Sequence, residues 1–168
     1  MEIVLDTVSV FHLLSQSKKS KERGSNKIET ILDNFLEKFN LVIVFDFGHG
    51  LSDEWGQTCG REIVKVLLIH WESFNAIKMV EPVAKINPTI SKELRQLGFY
   101  DTIDKLVLRI ALATSDKIVV SEDSHFWDPR NPKIRGDKRC PVTKLCLDKL
   151  EITILLLKQL IPFCRQNK

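Results

Sequence analysis

The sequence predicts an α/β fold in one domain, residues 1–168, built on a mainly parallel central sheet. Three observations predict it. Short apolar runs that read as strands alternate with longer segments whose apolar residues recur at helical spacing. One run, LVIVFDF at Leu41–Phe47, is too continuously apolar for a half-exposed strand and suits the centre of a sheet covered on both faces. Two runs give out directly into acids, Leu5 into Asp6 and Val120 into Ser121-Glu122-Asp123, so the carboxyl edge of the sheet carries negative charge. At 168 residues, 43% hydrophobic and 28% charged, the chain is long enough to bury one proper core, and it contains no internal repeat or linker.

Each element follows in order. Glu2–Leu5 is a short β-branched and apolar first strand, and Asp6 begins the first loop or helix. Between Ser15 and Ser25 almost nothing is apolar, which reads as a mobile, solvated loop. Ile28, Ile31, Leu32, Phe35, Leu36 and Phe39 then repeat at helical spacing, with Asn26 and Glu29 as a capping pair. After strand two, Gly48 and Gly50 break the run, and Ser52 caps a helix whose first turn holds Asp53 and Glu54 and which continues towards His70. Ala76–Val80 is a third strand. Asn87-Pro88 opens a short helix closed by Gly98, since proline fits the first helical position and glycine the position after the last turn. Asp101 and Asp104 stand in the first turn of the next helix, with Ile103, Leu106, Val107, Ile110 and Ala111 as its buried face. Ile118–Val120 is a fourth strand. From Cys140 onward periodicity does not separate strand from helix; we assign a strand at Val142–Leu147 and then a helix over much of Ile152–Ile161.

The bulk properties narrow the function classes. The chain opens Met-Glu-Ile-Val-Leu-Asp without a basic leader, and no run is long enough to span a bilayer, so a soluble, cytoplasmic protein without a membrane partner is expected. Cys59, Cys140, Cys146 and Cys164 form no CxxC pair and no zinc-spaced ladder, and read as plain thiols. The net charge is only +3, but basic residues bunch at Lys18, Lys19, Lys21 and Arg23 and again at Arg130, Lys133, Arg135, Lys138 and Arg139. By default these are solvated loops; beside an acidic mouth they would contact phosphates.

The acids carry the chemistry. In open α/β sheets ligands bind beyond the carboxyl ends of the strands, where Asp6 and Asp123 fall, with Glu54 and Asp104 in first turns of nearby helices. Taken singly, each is explained by capping alone, because Asp and Glu favour helix starts whatever the protein does. Taken together, several carboxylates packed at one place require protons or cations, and such oxygen ligands suit magnesium or manganese rather than zinc. A hard divalent cation can activate water, orient it in line with a phosphodiester and neutralise charge on the leaving oxygen.

Leu5-Asp6-Thr7 after the first strand, Asp53-Glu54-Trp55 after the glycine turn of strand two, Asp104 leading Leu106–Ala113, and IVVSEDSHF from Ile118 together resemble the PIN-domain family. The similarity runs from Glu2 to about Phe126, and its specificity comes from the joint order of short motifs. The resemblance implies a small Rossmann-like three-layer α/β/α sandwich and an endoribonuclease dependent on Mg2+ or Mn2+ that leaves a 5′-phosphate. It implies catalytic and metal-binding roles for Asp6, Glu54, Asp104 and Asp123. Asp46, within strand two, matches the acid of the related flap-endonuclease-like group and competes with Glu54 as middle ligand; the spare acids Asp53, Asp101, Glu122 and Asp128 stand close by. The commonest small members are toxins of bacterial toxin–antitoxin pairs, which implies RNA as substrate ahead of DNA and a protein inhibitor as partner.

Thr7 and Ser121 adjoin these ligands and suit hydrogen bonding to a carboxylate or a metal-bound water, with Asp101 standing beside them as a further neighbour. His49 and His125 receive at most a minor role, a lone histidine being more often structural. Of Trp55, Trp71 and Trp127, the last, just past Asp123, is the best candidate for stacking on a base. The apolar run Ile152–Leu157 is either core or a homodimer surface. Two other readings compete: a PIN-like module that binds nucleic acid or protein without cleaving, and a receiver-type domain phosphorylated at Asp46, which lacks a convincing partner lysine.

Overall fold

The computed structural model describes residues 1–21, 36 and 39–166. Strand β1 (Glu2–Leu5) leads into helix α1 (Thr7–Lys21). Strand β2 (Val42–Asp46) is followed by α2 (Gly50–Trp55), a π turn at Gly56–Gly60, and α3 (Arg61–Ser73). Then come β3 (Ile77–Val80), α4 (Pro88–Gln96), α5 (Thr102–Leu112) and β4 (Ile118–Val120). A 3-10 turn at Ser124–Phe126, α6 (Pro141–Leu150), β5 (Thr153–Leu155) and α7 (Leu157–Gln166) complete the chain.

All strand pairings are parallel, in the order β3-β2-β1-β4-β5. The chain therefore works outward from β1 to β3, then returns across β1 to lay down β4 and β5 on its other side. With right-handed crossovers, α1 and α3 cover one face and α5 and α6 the other, giving a Rossmann-like three-layer sandwich. Ile3, Val4, Ile43, Val44, Val119 and Val120 are almost wholly buried, as a sheet covered on both faces requires. Among the described residues no helix is long and apolar enough to cross a membrane.

The register decides where the functional edge lies. Leu5 pairs with Val120, and the Asp6 amide donates to the Val120 carbonyl at 3.0 Å, extending the β1–β4 ladder one residue beyond the strand. The next residues on both strands thus emerge side by side. Between β1 and β4 the order of strands reverses, which is the switch point where such folds open a crevice.

Several expected elements are confirmed: the first four strands, the Asn87-Pro88 start with Asn87 accepting from the Thr89 amide at 2.9 Å, and Gly98 at φ 97° closing the turn after α4. Others are corrected. The segment from Ser15 to Lys21 belongs to α1 rather than to a loop; it has no glycine or proline, and a helix lacking an apolar stripe leaves no periodic signal. The rest of that loop, the Asn26–Glu29 cap and most of the following helix lie outside the described residues, although Leu36 and Phe39 are helical and buried. At the other end, Val142–Leu147 is helix α6, not a strand, and Thr153–Leu155 is strand β5 within the stretch assigned to helix. Pro141 sits at the first helical position, and Val142, Cys146 and Leu150 recur every four residues on the buried side. Ile152, Ile154, Leu155 and Leu156 are buried within the chain beside β4, so their apolar run is core and needs no second subunit.

Candidate metal centre

Three of the expected acids meet at the switch point. Asp6 follows β1, Asp123 follows β4, and Asp104 enters from the third position of α5. Asp6 and Asp104 are almost fully buried, and Asp123 is partly so. Local structure accounts for each placement. Asp101 is the N-cap of α5, its Oδ1 accepting from the Ile103 amide at 2.7 Å and the Asp104 amide at 3.2 Å, which leaves the Asp104 side chain free of capping duty. Asp123 caps the 3-10 turn through its Oδ1, which accepts from the His125 amide at 2.9 Å.

Two buried serines tie these ends together. Ser121 Oγ donates to Asp6 Oδ2 at 2.9 Å and accepts from the Asp123 amide at 3.0 Å, holding the two ligands in one unit. Ser9 Oγ donates to the Val120 carbonyl at 3.1 Å and accepts from the Glu122 amide at 3.0 Å, riveting α1 to the end of β4. Thr7 is buried beside Asp6, and its Oγ1 has no hydrogen-bond partner among the described residues.

Crowding shows in the electrostatics. Burial above all pushes the Asp6 carboxyl up to about 6, against the Ser121 hydrogen bond, with the Asp123 charge adding to the rise. Burial again, followed by the charges of Asp6, Asp123 and Asp101, pushes Asp104 up to about 7, His125 partly opposing them. The cluster is therefore short of positive charge. Asp104, Asp123 and His125 each offer a ligand atom, and those atoms lie within 4.8 Å of one another. One buried and one partly buried carboxylate, joined by one imidazole nitrogen, form a donor set that fits a divalent cation.

Glu54 and Asp46 each have local hydrogen bonds of their own. Glu54 is half-buried on α2, and its Oε1 accepts from Thr58 Oγ1 at 3.4 Å. The buried Asp46 carboxylate caps α2: Oδ2 accepts from the Gly50 amide at 2.9 Å and Oδ1 from the Leu51 amide at 3.0 Å. Ser52, the expected cap, instead lies inside the helix and donates to the His49 carbonyl at 3.1 Å. The other spare acids also have local work. Glu122 Oε1 accepts from the Leu157 amide at the start of α7, and Asp128 Oδ1 accepts from the Arg130 and Asn131 amides in a turn. Asp53 is exposed.

Of the basic residues, Arg130, Lys133 and Arg135 are exposed on the loop after Trp127, and Arg135 Nη1 donates to the Glu122 carbonyl at 2.7 Å, one residue from Asp123. Lys18, Lys19 and Lys21 fall in the last turns of α1, and Arg23 lies outside the described residues. Trp127 is not available to a base. It is buried, with Nε1 donating to the Ser121 carbonyl at 3.1 Å, and Trp55 and Trp71 are buried as well. His125, expected to have at most a minor role, faces the acids: its Nδ1 lies 3.1 Å from Asp104 Oδ2 and 3.8 Å from Asp123 Oδ2. Ser9 gave no signal, because a lone serine inside a helix has no distinguishing pattern.

No family model matches the chain, and no solved structure matches it. It is 36% identical over 73 residues to "Glutamate synthase [NADH]" of Saccharomyces cerevisiae (strain ATCC 204508 / S288c), a stretch that is 39% of this chain and 3% of that enzyme. The chain thus spans about 3% of the length of the curated relative it matches, and the match shows no family for it.

Proposed function

We propose that this chain is a metal-dependent nuclease of the PIN type, an endoribonuclease that hydrolyses phosphodiester bonds. The observation that carries the reading is the meeting of Asp6, Asp104 and Asp123, from three separate elements, at the switch point of a parallel sheet. Three acids spent on capping alone would have no reason to face one another at such electrostatic cost. These carboxylates would hold Mg2+ or Mn2+, which when bound supplies Lewis-acid activation of water and neutralises charge developing on the leaving oxygen.

The chain's own residues do the rest. Ser121 fixes Asp6 relative to Asp123, and Asp101 fixes the turn from which Asp104 projects. Arg135, held against Glu122, and Arg130 and Lys133 beyond it offer cations to the backbone of an incoming strand. RNA is favoured over DNA on the resemblance in motif order. A protein inhibitor of the antitoxin kind is the partner that the same resemblance suggests.

The test is direct. The purified protein is incubated with single-stranded RNA, single-stranded DNA and duplexes, with Mn2+, Mg2+ or chelator, beside Asp104→Asn. Metal-dependent cleavage that disappears in the variant is the expected result. Cleavage that survives chelator or the substitution overturns the reading, and so does metal-independent binding without any cleavage.

A further inference from the structure

Resting on that reading of the site as a cation centre, we infer that His125 is a nitrogen ligand of the centre and biases it towards manganese over magnesium. Its position is built, although the ring itself is half exposed. The main chain of His125 is gripped by Asp123, through its amide to Oδ1 and through the Phe126 amide to the Asp123 carbonyl at 3.2 Å. Directly after it, Phe126 is buried edge-on against Phe99, its carbonyl accepts from Thr143 Oγ1 at 2.8 Å, and Trp127 is pinned to the Ser121 carbonyl. The turn that carries the imidazole is therefore anchored in the core on one side and on a ligand on the other.

The chemistry of the three facing atoms supports a cation between them. Asp104 Oδ2 and Asp123 Oδ2 are acceptors, and a neutral imidazole presenting its unprotonated nitrogen is a third. His125 Nδ1 lies 3.1 Å from Asp104 Oδ2, a hydrogen bond when that nitrogen carries the proton, and 3.8 Å from Asp123 Oδ2; with the proton on Nε2 instead, the same nitrogen and both oxygens are close enough to meet one metal ion. Magnesium takes oxygen almost to the exclusion of nitrogen and holds its waters tightly, whereas first-row transition ions accept imidazole readily. A site of carboxylates plus one imidazole thus discriminates between the two ions, and manganese is the transition ion most at home among carboxylates.

Binding is measured on the intact protein by calorimetry with MnCl2 alone and MgCl2 alone, and pulsed electron paramagnetic resonance of the bound Mn2+ reads its ligands. We expect 14N coupling in the wild type, its loss in His125→Asn, and a fall in Mn2+ affinity on the order of tenfold with Mg2+ affinity nearly unchanged. Thermal unfolding in chelator checks that the variant is folded. Bound Mn2+ without 14N coupling overturns the assignment, as does an equal loss of affinity for both ions or no Mn2+ binding at all. The two readings fail separately: coupling in a protein that cleaves nothing removes the nuclease, whereas cleavage by a centre lacking nitrogen removes His125.

Discussion

Replacing Asp104 by Asn should make the metal-free protein more stable, and the gain should grow with pH because the Asp104 carboxyl is raised in the fold. Asp104 is almost fully buried with its carboxyl raised from 3.8 to about 7. Between those values the folded state binds more protons than the unfolded state, so stability falls as pH rises through this window. At 1.36 kcal/mol for each pH unit of difference, the raised carboxyl destabilises the fold by about 4 kcal/mol at pH 8, where it is ionised in both states, but by only about 2 kcal/mol at pH 5, where it stays protonated in the fold. Asn has the same shape without the charge. Its own offset is the same at both pH values, so the gain at pH 8 should exceed the gain at pH 5 by about 2–3 kcal/mol. For a domain of this size that difference corresponds to roughly 5–10 °C in Tm. The assay is thermal or urea unfolding followed by circular dichroism, with chelator present, at both pH values. Equal gains at pH 5 and pH 8, or a loss at pH 8, would refute the claim that a carboxyl raised by burial, and further by neighbouring acids, strains this site.

Further outcomes follow from the same geometry. Mn2+ at 100 times its Kd should stabilise the wild type by about 2.7 kcal/mol at pH 8. The effect should weaken at pH 5, where protons compete for Asp6 and Asp104, whose carboxyls are raised to about 6 and about 7; a pH-independent shift in Tm would argue against these ligands. Ser121→Ala removes both the hydrogen bond to Asp6 and the one from the Asp123 amide, and should cost about 1–3 kcal/mol in urea unfolding. Asp46→Ala should destabilise by about 1 kcal/mol through the lost cap on α2, yet leave Mn2+ affinity within roughly threefold in calorimetry. A large loss of affinity there would show that Asp46 is a ligand.

Much of this protein is legible from its sequence alone. The continuous apolar run Leu41–Phe47 reads as a covered strand, and the short run Ile118–Val120 as another because it gives out directly into acids, while Asn87-Pro88 and Asp101 announce helix starts because proline and a side-chain acceptor have few other comfortable places. Asp6, Asp104 and Asp123 were legible as candidates because each stands where a strand ends or a helix begins. What local pattern could not decide was which acids point at each other. Asp46 and Glu122 look as suitable as Asp123 in the sequence, and only the tertiary structure assigns the first to capping α2 and the second to the start of α7. Likewise α6 and β5 exchanged places, because a short apolar run fits either period until a neighbouring strand is present to pair with it. Trp127 and His125 sit two residues apart, yet one is core and the other faces the acids. Sequence spacing determines which residues share an element; the packing of one element against another determines which side chains share a site.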